Sequence, residues 1–309
     1  MTHIGIVGSG AVASLYGMML QRAGFKLSLV CRSGFNEISE SGIFVESTWG
    51  DFQFIPDGVY ARSNDLPDDL DLLIIATKVY PDLDLPALLG PYAKGQCPIL
   101  LIQNGIFIER YYQELFPNFE LYSGLAFVCV SRHSYTHVEH IDYGRLDLGV
   151  YPKGTSSLLT DISERLKAVG MDCRVSPQIQ RQRWEKLVWN APFNPLSVLM
   201  QQSTSELLSD PKTTERIRQI MMEVCRCADL DGFPLDSDIV EQKIQQTLKM
   251  APYKTSMLLD YESGRRLEYD AILGNLLSFA ERMAIEIPYC RALYNDLLAF
   301  IKENKEESL

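Results

Sequence analysis

The sequence has no long hydrophobic run: no apolar stretch approaches the roughly 20 residues that a membrane-spanning helix needs. No secretory signal precedes the first strand-like segment, because Met1, Thr2 and His3 lead directly into it. The seven cysteines are scattered and odd in number, which fits reduced thiols better than a disulfide framework. We therefore expect a cytoplasmic protein that does not span a membrane.

Basic residues are in deficit. The chain has 29 Lys and Arg against 40 Asp and Glu, which gives a formal net charge of −11. This charge disfavours nucleic acid or an anionic membrane surface as the main partner. It does not exclude a small anionic ligand, because basic side chains such as Arg32 and Lys78 can dominate the local field.

The first half of the chain alternates strand and helix patterns. Residues 4–7 form a short β-rich run, followed by a helical pattern over 12–23 and a second strand over 27–31. Residues 72–76 and 99–102 are continuous apolar runs, which are typical of parallel strands buried on both faces. A hairpin from strands at 42–47 and 52–56 and a β-rich stretch over 122–150 are also predicted.

After Pro177 the strand-like runs almost vanish. Helical patterns cover 179–190, 213–230, 237–250, 268–284 and 289–303. At 309 residues the chain also exceeds one typical domain of about 100–200 residues. We therefore predict an α/β protein with an N-terminal Rossmann-type doubly wound sheet at residues 1–175 and a C-terminal all-helical domain at 176–309.

The loop after the first strand has the glycine pattern of a dinucleotide-binding turn, in the order Gly8, Ser9, Gly10, Ala11, Val12, Ala13. Gly8 permits a tight turn, Gly10 lets the backbone approach a pyrophosphate at the helix N-terminus, and Ala13 allows close packing. A lone G-x-G-x-x-A is a weak signal, and a glycine-rich turn without a ligand is the alternative. The preceding strand, following helix and returning second strand favour a nicotinamide dinucleotide site.

The residue after the second strand indicates which dinucleotide binds. A site that prefers NAD usually carries Asp or Glu there to bind the ribose 2′-hydroxyl, whereas this sequence has Arg32. A guanidinium can pair with a 2′-phosphate through a fork of donors, which favours NADPH. The alternative is an arginine that only faces solvent.

Polar residues follow two of the buried strands, at Thr77-Lys78 and Gln103-Asn104-Gly105. In a doubly wound sheet that edge faces the ligand crevice. Further along, Lys186, Asn190 and Asn194 are spaced i, i+4 and i+8 among aromatic and aliphatic residues, so an intact helix presents them on one face. Pro192 is expected to disturb this helix before Asn194.

The run from Lys186 reads K-L-V-x-N-x-x-x-N-P-L, which resembles the signature of the ketopantoate reductase (2-dehydropantoate 2-reductase) family. The similarity extends over almost the whole chain. It includes the glycine motif with Leu15-Tyr16-Gly17, Arg32, Thr77-Lys78, Gln103-Asn104-Gly105, Val138-Glu139-His140, Gly144-Arg145-Leu146, Ser256-Met257-Leu258 and residues 264–272.

The resemblance implies an enzyme, an NADP-dependent oxidoreductase that reduces ketopantoate to pantoate on the route to pantothenate and coenzyme A. Lys186 matches the general acid that protonates the ketone oxygen as hydride arrives from the nicotinamide. A lysine has an ordinary pKa of about 10.4, so burial or a nearby charge would help to tune it. Glu268 matches a glutamate that contacts the cofactor and orders the site. Asn104 matches a residue that lies near both the nicotinamide and the lysine.

The resemblance also implies binding roles for the other matching residues. Asn190, Asn194 and Ser256 match polar groups that hold the keto acid and its carboxylate. Arg32 and Lys78 match groups around the adenosine 2′-phosphate. An extensive helical half of this kind can also serve as a homodimer interface.

Three positions depart from the family pattern: Pro81 and Tyr253 stand where Gln and Asn are frequent, and Leu273 where Asn is. Tyr253 bears most on the substrate, so reduction of another 2-keto acid stays open. A protein that senses NADPH without turning it over is a further alternative, although it would have no need for a general acid. We expect no metal site, although His133, His137, Glu139 and His140 superficially resemble a ligand cluster.

Overall fold

The computed structural model describes residues 1–95, 97–250 and 252–306. It divides into two compact units, Met1–Gln103 with Ile108–Gln180, and Asn104–Phe107 with Arg181–Leu309. The sequence predicts a single division between residues 175 and 176, whereas the structure also assigns a short segment from the first half to the helical unit. The backbone explains this, because the Ile106 N–H donates to Ala271 O at 3.0 Å.

The first unit is built on a mixed sheet. Its strands are β1 His3–Val7, β2 Lys26–Val30, β3 Ile43–Ser47, β4 Phe52–Phe54, β5 Gly58–Tyr60, β6 Leu72–Ile75, β7 Ile99–Leu101, β8 Leu121–Ser134, β9 His137–Val150 and β10 Cys173–Val175. The order is β4-β3-β9-β8-β7-β6-β1-β2-β5, with β10 paired to β9. The β8 to β5 run is parallel, while β8–β9 and β3–β4 are antiparallel, so the predicted 42–56 hairpin is confirmed.

The parallel strands are buried because helices cover the sheet. These helices are α1 Ala11–Arg22, α2 Phe35–Ser41, α3 Leu85–Leu89, α4 Ile108–Leu115 and α5 Ser157–Ala168, with 3₁₀ turns at Ser63–Asp65 and Gly90–Lys94. Every residue of β6 and β7 is buried, as their continuous apolar runs predict, and every residue of β1 is buried as well. The predicted α/β class with a Rossmann-type N-terminal sheet is confirmed.

The second unit is helical, also as predicted. It contains α6 Ile179–Met200 from Arg181 onward, α7 Thr204–Ser209, α8 Pro211–Leu230, α9 Ile239–Leu248, α10 Ser256–Glu262, a π-helical turn at Asp270–Gly274, α11 Asn275–Arg282 and α12 Pro288–Glu306. Capping side chains determine where two of these helices begin: Ser203 and Glu206 form a capping box before α7, and Asp210 caps α8 ahead of Pro211. Within the described residues, no helix is both long and apolar enough to cross a bilayer.

Helix α6 runs through Pro192 and Pro195 instead of breaking there. Each proline removes one helical N–H, but the surrounding turn is held by burial: Phe193 is fully buried and Leu196 is 1% exposed. Because the helix continues, Asn194 keeps its place on the same face as Lys186. The local penalty of proline is therefore overcome by tertiary packing.

Candidate active site

The glycine loop follows β1 in a conformation that only glycine adopts easily. Gly8 has φ +113°, and a Cβ there would lie 3.1 Å from the Ala76 carbonyl oxygen. The Gly8 N–H donates to Val30 O at 2.9 Å, which joins the turn to the end of β2. The tight turn predicted at Gly8 is therefore present.

Gly10 lies at the N-terminus of α1 and faces open space. Among the described residues, no atom lies within 4 Å of where its Cβ would be, and no side chain caps the helix. The first helical hydrogen bond runs from Ser14 N to Gly10 O, so the N–H groups of Ala11, Val12 and Ala13 precede it. An open helix N-terminus without a side-chain cap fits a phosphate group.

The predicted basic residues follow two strands that flank β1. Arg32 comes after β2 and is exposed, while Lys78 comes after β6 and is half-buried. In the part of the chain that the structure describes, no carboxylate lies within ion-pair distance of Arg32. The adjoining end of β7 is polar too, since Gln103 Nε2 donates to Thr77 O at 3.1 Å. The carboxyl edge of the sheet thus has the predicted polar character.

In the second unit, Lys186 and Asn104 are in direct contact. The half-buried Lys186 ammonium donates from Nζ to Asn104 Oδ1 at 2.8 Å. The Asn104 amide oxygen accepts this hydrogen bond and orients the ammonium. The structure therefore brings together two residues that lie 82 positions apart in the sequence.

The backbone that carries Asn104 is held on both sides. Arg183, which is 2% exposed, donates from Nη1 to Gly105 O at 3.1 Å, and Asn275 Nδ2 donates to Ile106 O at 2.9 Å. Gly105 has φ +109°, and a Cβ there would clash with the Ala271 carbonyl. Arg183 and Asn275 are therefore positioning residues for Asn104 that the sequence reading missed.

Glu268 is half-buried and lies two residues before the π-helical turn. That turn holds the Asn104 segment through Ala271 O, and π-turns often occur at functional sites. The Tyr294 hydroxyl donates to Asp270 Oδ1 at 2.7 Å at the start of the turn. Burial and the neighbouring Asp270 raise the pKa of Tyr294, so the phenol stays a neutral donor.

Asn190 and Asn194 extend the polar face of α6 into a buried region. They are 7% and 3% exposed, and Asn194 Oδ1 has no hydrogen-bond partner among the described residues. A buried carbonyl without a partner costs about 1–3 kcal/mol. Such a cost is acceptable where a ligand supplies the missing donor.

Ser256 is the exposed first residue of α10, whose start is tied to α6. Ser197 Oγ donates to Asn194 O at 2.8 Å and lies 2.6 Å from Thr255 Oγ1, and Thr255 caps α10. This chain of hydrogen bonds links the Asn194 turn to the residue before Ser256. The sequence reading missed Ser197 and Thr255, because single hydroxyls carry no spacing signal.

The residues that depart from the family pattern occupy different environments. Tyr253 is half-buried with its ring centroid 6.4 Å from that of Trp189, and Trp189 stacks on Phe193 at 4.9 Å. Leu273 is fully buried in the core of the helical unit, so an apolar packing residue stands where the family pattern has Asn. Pro81 is exposed three residues after Lys78. Of the three departures, Tyr253 is therefore the one that lies in a cluster of aromatic side chains.

Two family models cover most of the chain. One described as "Ketopantoate reductase PanE/ApbA" matches residues 4–153, and one described as "Ketopantoate reductase PanE/ApbA C terminal" matches residues 178–300. A 2-dehydropantoate 2-reductase of Nostoc sp. is 34% identical over 297 residues, which are 94% of this chain and 93% of the relative.

Solved structures agree with these matches. The 2-dehydropantoate 2-reductase of Methylococcus capsulatus superposes with a TM-score of 0.90 at 37% identity, covering 98% of this chain and 97% of that one. The enzyme of the same name from Geobacter metallireducens superposes with a TM-score of 0.89 at 31% identity, covering 96% and 99%. The predicted family resemblance is therefore confirmed.

Proposed function

The chain belongs to the ketopantoate reductase family of oxidoreductases, and on that premise we propose that it reduces 2-dehydropantoate to pantoate with NADPH. The observation that carries the proposal is the Lys186–Asn104 hydrogen bond beside a buried, polar face of α6. In metabolism this reaction is a step towards pantothenate and coenzyme A.

Lys186 is proposed as the general acid. A bound nicotinamide supplies the hydride that adds to the keto carbon. The ketone oxygen gains negative charge during this addition, and the Lys186 ammonium stabilises that charge and then donates a proton from Nζ. Asn104 accepts a hydrogen bond from Nζ through its Oδ1, so the ammonium is already oriented before the substrate binds.

The substrate is proposed to bind along the α6 face and at the start of α10. Asn194 Oδ1 needs a hydrogen-bond donor, which a hydroxyl group of the substrate can supply. The Asn190 amide and the exposed Ser256 hydroxyl offer donors for the keto acid and its carboxylate. Glu268 stays a proposed contact to the cofactor, supported by its place before the π-turn that anchors the Asn104 segment.

NADPH is proposed over NADH on the basis of charge at the end of β2. The glycine loop provides an open helix N-terminus for the pyrophosphate, at Gly10 and the N–H groups that follow. Arg32 replaces the carboxylate that would repel a 2′-phosphate, and Lys78 adds a second cation after β6.

The homodimer and the cytoplasmic location predicted from the sequence stay proposals. Light scattering in solution tests the former, and fractionation of the cells that express the protein tests the latter.

A second candidate substrate is a 2-keto acid with an aromatic or larger apolar group. Tyr253 and Trp189 favour it, because their neighbouring aromatic rings provide apolar surface where the family pattern has a small amide. Benzoylformate is a suitable probe. If it is the better substrate, Tyr253→Asn should shift the ratio of kcat/KM values towards ketopantoate.

The test follows the loss of NADPH absorbance with ketopantoate and a panel of 2-keto acids, in wild type, Lys186→Ala and the exposed control Lys249→Ala. We expect ketopantoate turnover that falls about 10²- to 10⁴-fold in Lys186→Ala and stays unchanged in the control. Full activity in Lys186→Ala would refute the mechanism. Equal turnover with NADH would refute the NADPH preference, and tight NADPH binding without turnover of any acid would favour a sensor.

A further inference from the structure

The tip of the β8–β9 hairpin reaches the glycine loop. Arg132, near the end of β8, donates from Nη1 to Ser9 O at 3.3 Å, across 123 residues of chain. Ser9 is the residue between Gly8 and Gly10. A half-buried guanidinium therefore lies against the loop that is proposed to carry the cofactor phosphates.

Tyr135 joins the same hairpin tip to the segment after β2. Gly34 has φ +76°, and a Cβ there would clash with the Tyr135 side chain, so the tyrosine packs directly on the Gly34 backbone. The Arg132 guanidinium carbon lies 5.4 Å from the centroid of the Tyr135 ring. Tyr135 thus connects Arg132 to a loop in which Gly34 stands two residues after Arg32.

The Arg132 guanidinium carries a positive charge that no described carboxylate neutralises. Among the described residues, no carboxylate lies within ion-pair distance of its guanidinium, although the chain as a whole has a net charge of −11. The hydrogen bond to Ser9 O uses one N–H group and leaves the remaining donors of the fork available. An uncompensated arginine, held by two contacts beside a helix N-terminus, is suited to bind an anion.

We propose that Arg132 binds the adenosine 2′-phosphate of the cofactor together with Arg32, and that Tyr135 is the positioning residue that holds Arg132. This inference rests on the proposed use of NADPH. The contacts favour the 2′-phosphate because Tyr135 and Gly34 link Arg132 to the end of β2, where the ribose 2′ position lies in dinucleotide-binding sheets. The hairpin supplies a cation that the strand–helix–strand motif does not contain.

Calorimetric titration with 2′,5′-ADP and with 5′-ADP tests the role without turnover. The variants are Arg132→Ala, Arg132→Lys and the control Arg174→Ala, whose exposed side chain pairs with Asp172 at 2.8 Å. A charge-assisted hydrogen bond predicts a loss of about 10- to 100-fold in 2′,5′-ADP affinity for Arg132→Ala. Arg132→Lys should lose less, Arg174→Ala should match wild type, and 5′-ADP affinity should change by less than about 2-fold in each.

Two results would overturn the role of Arg132. An equal loss of 2′,5′-ADP and 5′-ADP affinity would mean that it acts on the diphosphate or on loop shape, and an unchanged 2′,5′-ADP affinity would mean that it binds no phosphate. Tyr135→Ala should weaken 2′,5′-ADP binding while Tyr135→Phe should not, and equal affinities in the two variants would remove the positioning role. If wild type itself does not prefer 2′,5′-ADP, the NADPH proposal fails instead.

Discussion

Lys186 Nζ and Asn104 Oδ1 are joined by a 2.8 Å hydrogen bond that connects α6 to the segment after β7. In this hydrogen bond the acceptor is a neutral amide. A carboxylate at the same place would stabilise the charged form of the lysine and raise its pKa. The choice of amide over carboxylate therefore bears directly on how readily Lys186 gives up a proton.

We predict that Asn104→Asp lowers kcat about 10- to 100-fold at neutral pH. A raised lysine pKa makes Lys186 a weaker acid, and because the lysine must be protonated to act, the basic limb of the pH–rate profile should move to higher pH. The measurement is kcat/KM for the keto acid against pH, with the exposed Asn118→Asp as control. A basic limb that does not move would argue against Lys186 as the acid.

Arg183→Leu is expected to impair both stability and catalysis. It removes the donor to Gly105 O, and a buried carbonyl left unsatisfied costs about 1–3 kcal/mol in unfolding free energy. Because Gly105 follows Asn104, kcat should also fall by about 10-fold while cofactor affinity is retained. Urea unfolding and steady-state kinetics measure the two effects, and a folded Arg183→Leu protein with wild-type kcat would show that the arginine is only structural.

Asn194→Leu should change stability and substrate affinity in opposite directions. The substitution keeps a similar shape and removes a buried oxygen that has no partner among the described residues, so the protein without substrate should be as stable as wild type or more stable. KM for the keto acid should rise about 10-fold or more. Ser197→Ala serves as comparison, since it loses hydrogen bonds to Asn194 O and Thr255 and should lower stability. A marked loss of stability in Asn194→Leu would contradict the ligand role.

Gly105→Ala should lower the free energy of unfolding more than a Gly→Ala substitution at a position with positive φ normally does. The added Cβ meets the Ala271 carbonyl, so the cost should be about 3 kcal/mol or more of unfolding free energy. Gly264→Ala is the matched control in the same unit, with φ +64° and open space among the described residues, and should cost only about 1–2 kcal/mol. Equal losses of unfolding free energy in denaturant titrations would mean that the Asn104 segment shifts to accommodate the added Cβ.

His140 predicts a pH dependence of stability. It is 2% exposed, accepts from Ser47 Oγ or donates to it through Nδ1 at 2.9 Å, and burial lowers its pKa from the ordinary 6.5. Since the unfolded state then binds the proton more readily, the contribution of His140 is complete above about pH 6.5 and is lost as the pH falls from there through the lowered pKa of the folded state. Unfolding free energies at pH 7.5 and 5.5 should show a drop in wild type that is smaller in His140→Asn.

The exposed His133, which pairs with Glu139 at 2.8 Å, provides the control for this prediction. His133→Asn should keep the drop of wild type between the two pH values. If His140→Asn retains the full drop as well, other groups govern the acid sensitivity.

The sequence predicts the order of elements well where one physical signal dominates. The continuous apolar runs form β6 and β7, and the short β-rich run forms β1. The glycine spacing forms the turn before α1, because burial and positive φ act on a few neighbouring residues. The helical spacing of Lys186, Asn190 and Asn194 likewise predicts one polar face. The sequence also predicts that Pro192 disturbs this face, whereas α6 continues through it because the burial of Phe193 outweighs the lost helical hydrogen bond.

By itself, then, the sequence determined the fold class and the family, and it singled out the basic residues proposed for the site. Tertiary structure alone decided how those residues are held: Asn104 belongs with the helical unit, Arg183 supports it through Gly105, and Arg132 reaches Ser9 from a distant hairpin. These contacts join residues many positions apart, and each depends on a single backbone carbonyl. Periodicity and motif spacing report only on neighbours along the chain, so such contacts leave no pattern in the sequence.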